Sequence, residues 1–340
     1  MKDILILGIE SSCDDTAAAV LRDRCLLSSI VADQEVHRQY GGVVPELASR
    51  AHQQNIIPVV DRALKEAGCN ICDLSAIAFT RGPGLLGSLL VGTSFAKGMA
   101  LASGIPLIEV NHLQAHILVH FIKEKNDKAL QPAFPFICLL VSGGHTELVI
   151  VRDTLVMEVT GKTIDDAAGE AFDKCAKIIG IPYPGGPVVD EIARRGNQDR
   201  FTFARPRSEG YNFSYSGLKT SFLYFIRDNI QKDADFINKN KPDLCASVQK
   251  TIVEMLLEKL VLLSRDSGIR EIALAGGVSA NSALRAGVRA LAQEYNWNVY
   301  IPPARFATDN AAMIAIAGHF KYLKKDFAGL DVSPAARLTY

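Results

Sequence analysis

The chain has 340 residues, 48% apolar and 22% charged, which excludes a disordered chain and is too much for one small core. It predicts two domains of ordinary size, or one long α/β fold. Lys plus Arg and Asp plus Glu number 37 each, so a global basic field is excluded and any nucleic acid must be held by a local patch.

The first apolar run, Ile4 to Ile9, ends at Glu10 and is too short for a secretory segment. Asp3 to Gly8 reads as a strand, Glu10 to Asp15 as a small polar turn, and Thr16 to Leu21 as a second strand. Leu47 to Leu64 has helical period. Its apolar face (Ile56, Ile57, Val59, Val60, Leu64) reads as core before it reads as a partner surface. Cys69 and Cys72 form a lone CxxC with no second pair, so they read as ordinary thiols in a helix-to-strand connection. The seven cysteines are odd in number and scattered, as suits a reducing cytosol.

Ile77 to Gly84 reads as a strand and a glycine turn before a helix. Leu107 to Val110 is a strand, and Asn111 is a plausible N-cap for a helix that carries His112 and His116. Four residues apart, the two imidazoles share a face and could hold one metal ion. His120 lies about 12 Å along the axis from His112 and does not join them. The residues between the pair are Leu113, Gln114 and Ala115, so the general base of a metalloprotease helix is missing.

The longest uncharged stretch, Ala129 to Thr146, holds Pro132, Pro135, Gly143 and Gly144 and cannot be a spanning helix. Phe136 to Val141 is a strand, Ser142 to His145 a turn that could form an anion-binding concavity, and Thr146 to Val151 a strand. Asp165 to Lys174 carries four carboxylates. If helical, Asp166, Glu170 and Asp173 form one stripe, and Asp173 is favoured as an acceptor for ligand hydroxyls or amines. Arg194 to Tyr215 interleaves five arginines with five aromatics, which fits an RNA-contacting loop and a core-facing loop equally well. Ala275 to Asn281 is a glycine turn with Ser279 and Asn281 at a helix start. Ala307 to Met313 opens a helix running to about Lys325, with Thr308 or Asp309 as its cap. Asp309 is alternatively a third ligand beside the two histidines. Two imidazoles and one carboxylate suit iron(II) or zinc.

Three segment pairs repeat in the same order: the two strand–turn–strand units, Tyr40 to Arg50 with Tyr183 to Arg195, and Ile77 to Gly84 with Ile272 to Val278. Two related α/β lobes with mixed sheets follow, and lobes of that kind leave a cleft suited to a ligand. Residues 1–133, joined by the C-terminal helix 319–340, are expected to form the first lobe, and 134–318 the second. The ligand and metal site is expected in the cleft between them.

The segments Gly8 to Thr16, Tyr40 to Arg50, Arg81 to Gly92, His112 to His116, Leu139 to Glu147, Ile164 to Lys174, Tyr183 to Pro187, Phe213 to Thr220, Ala275 to Asn281 and Thr308 to Met313 together resemble the TsaD (Gcp/YgjD) family. The resemblance implies the actin-like, sugar-kinase-like ATPase (ASKHA) fold with duplicated ribonuclease-H-like lobes. It implies transfer of a threonylcarbamoyl group from threonylcarbamoyl-AMP to N6 of the adenine at tRNA position 37, in tRNAs reading codons that begin with A. It implies His112, His116 and Asp309 as ligands of one divalent metal, Fe(2+) before Zn(2+). The implied substrate contacts are Leu140, Val141, Ser142, Gly143, Gly144, Asp173, Gly186, Asp190 and Asn281. Some members carry a histidine where this chain has Asn111. Glu10 and Asp14 are the nominees for the general base. The family further implies tRNA, a paralogous subunit TsaB, a small ATPase TsaE and the upstream adenylate-forming enzyme TsaC or Sua5 as partners, a cytoplasmic setting, and ATP or ADP as a further occupant of the cleft. The rival readings are a kinase or ATPase of the same fold, and a non-catalytic subunit of the same complex.

Overall fold

The computed structural model describes residues 3–32, 40–124 and 130–340. Its first sheet contains β1 (Leu5–Glu10), β2 (Thr16–Arg22), β3 (Cys25–Ala32), β4 (Ala76–Gly82) and β5 (Leu107–Asn111), in the order β3-β2-β1-β4-β5. β2 is antiparallel to both neighbours, and β4 is parallel to β1 and β5. The second sheet contains β6 (Phe136–Val141), β7 (Thr146–Asp153), β8 (Val156–Lys162), β9 (Glu271–Ala275) and β10 (Asn298–Tyr300), in the order β10-β9-β6-β7-β8. β6 is antiparallel to β7 and parallel to β9, and β9 is parallel to β10. Read from the hairpin outward, both sheets have one topology, so the repeat in the sequence is a repeat of fold.

The chain divides into two compact units: Met1–Gln131 with Asp153–Met157 and Pro302–Tyr340, and Pro132–Arg152 with Glu158–Ile301. In the first, α1 (Pro45–Ala67) packs on β2 and β3 and on α2 (Leu86–Ser103). Pro45 at its first turn and Gly68 in the left-handed conformation beyond its end set its limits. Ala48, Ile56, Val59, Val60, Ala63 and Leu64 are buried at helical spacing, whereas Ile57 is exposed. The expected core face is therefore correct except at Ile57.

Strand alternation sends Leu7, Ile9, Ile77 and Phe79 to the α1 and α2 face. Gly8 and Ala78 point the other way, onto α10 (Ala311–Leu323). A Cβ at Gly8 would lie 2.4 Å from the Ala311 oxygen and 2.6 Å from the Ala315 nitrogen. The missing side chain lets the first turn of α10 rest directly on β1, which fixes where Asp309 emerges.

In the second unit, α4 (Ala168–Ile178), α5 (Gly185–Ala193), α6 (Ser216–Ile230), α7 (Phe236–Ser267) and α8 (Ser282–Tyr295) share one core with the inner strands. One expectation needs correction here, and one open choice is narrowed. Asp165 and Asp166 precede α4, so Asp166 does not share a helical stripe with Glu170 and Asp173. Asp165 instead accepts from Ser214 Oγ (2.5 Å) and Tyr215 N (2.7 Å), while Asp166 pairs with Lys174 (2.6 Å). In the Arg194 to Tyr215 segment, Phe203, Phe213 and Tyr215 are buried in the core, and Phe201 and Tyr211 pack against it. Arg200 pairs with Asp243, and Arg205 with Glu254 and Glu258. The packing of those rings favours the core-facing reading of this segment.

Candidate functional site

β5 ends at Asn111, whose side chain accepts from the backbone of Leu113 (2.9 Å) and Gln114 (3.2 Å). That cap starts α3 (His112–Leu118) immediately after the strand and puts both histidines inside the unit, at 8% and 1% exposure. Asn111 Nδ2 donates to the Thr339 oxygen (3.2 Å), so asparagine at this position has a structural use. At the other end of the chain, α10 is capped by Asn310, whose side chain accepts from Met313 N (3.0 Å). The cap is neither Thr308 nor Asp309, and the Asp309 carboxylate is left to face the histidines.

The two Nε2 atoms lie 3.2 Å apart. Asp309 Oδ1 is 3.1 Å from His116 Nε2 and 3.5 Å from His112 Nε2. A cation at about 2.0–2.1 Å from three donors with near-tetrahedral angles requires donor separations of about 3.3 Å. The three donor atoms fit that requirement without rearrangement, and His112, His116 and Asp309 form a cluster consistent with a metal site. Asp309 is the member that meets solvent, with its side chain 29% exposed.

Behind His112 lies Glu10, fully buried. Its Oε1 accepts from Ser12 N (2.5 Å), and its Oε2 accepts from Thr80 Oγ1 (2.7 Å) and faces His112 Nδ1 (3.0 Å). Ser12 Oγ is 3.2 Å from the same ring nitrogen. Burial works to lower the proton affinity of His112, but the carboxylates of Glu10 and Asp309 outweigh it and push the group up to about 10. Burial conversely works to raise Glu10 and Asp309. The neighbouring histidines outweigh it, holding Glu10 below and Asp309 well below the usual carboxylate range. Asp14 sits half-buried on the turn between β1 and β2, next to Cys13. Burial first, then Asp14 and Asp309, pushes the Cys13 thiol up.

The remaining candidates all lie in the second unit. Leu140 and Val141 end β6 and are buried. Ser142 closes the turn by donating its N–H to the His145 oxygen (2.8 Å), and its Oγ accepts from His145 N (3.1 Å). Gly143 and Gly144 are exposed, and among the described residues no atom beyond the chain neighbours lies within 4 Å of where a Cβ would stand on either. Asp173 Oδ1 accepts from Gly185 N (2.8 Å) and Gly186 N (3.2 Å) at the start of α5, and burial raises its carboxyl. Among the described residues its Oδ2 takes no hydrogen bond. Asp190 is engaged within the protein: Oδ1 accepts from Ser282 Oγ (2.6 Å), and both oxygens face Ser282 N (3.2 Å). Asn281 caps α8 by accepting from Leu284 N (3.0 Å) and donates to Gln249 Oε1 (2.8 Å). Thr80 was missed by sequence reasoning. Its position near the end of β4, shortly before the Pro83–Gly84 turn, is the signal that could have found it.

The model of the family described as "TsaD: tRNA N6-adenosine threonylcarbamoyltransferase" matches residues 25–316. A tRNA N6-adenosine threonylcarbamoyltransferase from Porphyromonas gingivalis is 60% identical over 338 residues, covering 99% of each chain. One from Phocaeicola vulgatus is 59% identical, again over 99% of each. Among solved structures, T. kodakarensis HypF superposes with a TM-score of 0.62 at 16% identity, over 95% of this chain and 48% of that one. Full-length HypF in its phosphate- and nucleotide-bound form gives 0.58 at 13% identity, over 94% and 46%. At such identities these structures speak to the fold alone, which is the duplicated α/β fold of the two sheets. No helix among the described residues is long and apolar enough to cross a membrane.

Proposed function

The chain belongs to the TsaD family of tRNA N6-adenosine threonylcarbamoyltransferases, and from that premise we propose how its residues divide the work. The reaction moves the threonylcarbamoyl group from threonylcarbamoyl-AMP to N6 of adenine 37, in tRNAs reading codons that begin with A, with loss of AMP. The amine is a poor nucleophile because its lone pair is delocalised into the ring. The donor is a mixed anhydride with a good leaving group. The protein must therefore add orientation, charge stabilisation at the carbamoyl oxygen, and a place for the amine proton.

His112, His116 and Asp309 would hold one divalent ion, iron(II) before zinc. When bound, that ion supplies positive charge able to polarise or orient the donor. The convergence of two Nε2 atoms and Oδ1 within 3.5 Å carries this reading. The Ser142–Gly144 turn has exposed backbone and unfilled space at both glycines, which suits a phosphate or a carbamoyl group. Asp173 holds the start of α5 with one oxygen and offers Oδ2 to a ligand hydroxyl or amine, beside Gly186. Asp190 and Asn281 secure the start of α8. Both oxygens of Glu10 are engaged, so Asp14 is the nominee to take the amine proton. TsaB, TsaE and TsaC-type partners, and a cytoplasmic setting, belong to the same reading.

The test is nucleoside mass spectrometry of tRNA from cells depleted of this chain and rescued with wild type or His112→Ala. Loss of threonylcarbamoyladenosine, rescue by wild type and no rescue by a folded His112→Ala chain are expected. Rescue by both would keep the tRNA role and remove His112 from the essential set. Unchanged modification after verified depletion would overturn the reading and favour the kinase-like alternative.

A further inference from the structure

We propose that Glu10 is a positioning residue for the metal centre: its buried carboxylate fixes the ring and tautomer of His112 so that Nε2 is presented as a ligand. This rests on the metal reading above and assigns a role that reading leaves open.

Three donors from three elements converge on this carboxylate. Ser12 N comes from the turn after β1, Thr80 Oγ1 from β4, and His112 Nδ1 from α3. An ionised carboxylate only accepts, so the proton on the short Nδ1 contact belongs to the ring. With Nδ1 held by the carboxylate, Nε2 is the nitrogen left to give up its proton to an incoming metal ion, and it faces His116 Nε2 and Asp309 Oδ1. A carboxylate behind a ligating histidine sets both ring orientation and ligand basicity. Ser12 Oγ, at 3.2 Å, is the longer and uncharged alternative acceptor. His116 has no such support, because its buried Nδ1 has no partner among the described residues. The orientation of His112 is therefore the one that the surrounding chain actively sets.

The fold does not need an acid at this position. The two sheets superpose in topology with Leu5–Glu10 on Phe136–Val141, so Glu10 corresponds to Val141. In the parallel pairings, Ile6 opposes Ala76 and Ile137 opposes Ile272, which puts Thr80 in correspondence with Gly276. The second unit thus builds the same corner from Val141 and Gly276 in close backbone contact. The first unit builds it from a buried carboxylate and a threonine hydroxyl. A buried charge is costly unless it is paired. Its presence where the duplicate manages with valine points to a role in holding His112.

The test titrates metal-free protein with Co(2+), reading Kd, stoichiometry and the visible absorption of bound cobalt. Wild type is expected to bind one equivalent. Glu10→Ala should weaken binding about 10–100-fold and change the spectrum, because the ring is no longer fixed. Glu10→Gln, which keeps one acceptor for Nδ1, should recover most of the spectrum and part of the affinity. Thr80→Val removes one donor to Glu10 and should weaken binding measurably, by less than the about 10-fold lower end expected for Glu10→Ala. It also decides the question if the Glu10 variants do not fold. Ser88→Ala breaks a bond to the Cys13 oxygen in the same turn without touching Glu10, and should bind as wild type does. Wild-type Kd and spectrum in folded Glu10→Ala, or in Thr80→Val, overturn the proposal. Failure of wild type to bind at all overturns the metal reading instead.

Discussion

The close approach of α10 to β1 places a large and local demand on Gly8. In Gly8→Ala, the new Cβ would stand 2.4 Å from the Ala311 oxygen, 2.6 Å from the Ala315 nitrogen and 2.9 Å from the Ala315 Cβ. Ordinary contact needs about 3.5 Å, so helix and strand must part by about 1 Å. Two of the three obstructing atoms are backbone and cannot swing aside. Overpacking of this kind costs about 1–3 kcal/mol, and the upper end is expected here. For a domain of this size, about 3 kcal/mol lowers Tm by about 6–12 °C. The same displacement moves Asp309, two residues before α10. Metal sites tolerate errors of about 0.2 Å, so metal should be lost before the fold is. Calorimetry gives the first quantity, and metal content after dialysis gives the second. A Gly8→Ala chain with wild-type Tm and full metal occupancy would refute the claim that this glycine sets the Asp309 position.

Gly143→Ala is the complementary change. With no atom beyond the chain neighbours within 4 Å of the new Cβ among the described residues, Tm should stay within about 0.5 kcal/mol equivalent, while the transfer rate falls if the turn receives the donor; a Tm loss without a rate loss would make the turn structural. His116→Ala should leave the chain folded below its wild-type metal content, read by elemental analysis, because one of only three donors is gone; full occupancy would exclude His116 as a ligand. Asp165 gives a pH prediction. Burial works to raise it, but Ser214, the Tyr215 N–H and Ser216 outweigh that and hold it below the usual carboxylate range. A depressed carboxyl contributes stability that is present above its unfolded value and lost as pH falls through its folded one. Urea midpoints should therefore show Asp165→Asn costing about 1 kcal/mol near pH 7, after solvent screening, with the gap to wild type closing below pH about 4. A gap that persists unchanged in acid would mean the loss is steric.

What the sequence revealed about the site follows from how far apart in the chain its parts lie. His112 and His116 were legible because four residues make one helical turn, and the capping residue before them is adjacent. The duplication was legible because each hairpin is a local unit. The cap of α10 falls one or two residues beyond the expected Thr308 or Asp309, since these and Asn310 all have capping chemistry and only backbone direction decides between them. The carboxylate stripe at Asp166 failed because a helix start cannot be fixed from small residues such as Ala167 and Ala168. The surroundings of Glu10 were hidden for a different reason. Placing the first strand at Asp3–Gly8 left Glu10 in a polar turn beyond it. The strand runs Leu5–Glu10, with Glu10 still paired to Ala17, so the acid is the last residue of a buried strand. Ser12 is local, but the acid's other two partners lie 70 and 102 residues away and are reached only through the parallel register of β4 and the strand-to-helix step at Asn111. The information needed was in the repeat. Aligning the buried run Leu5–Glu10 with Phe136–Val141 sets an acid against a valine. In a duplicated fold, an acid at a position the other copy fills with an apolar residue marks where one lobe has acquired chemistry that the architecture does not require.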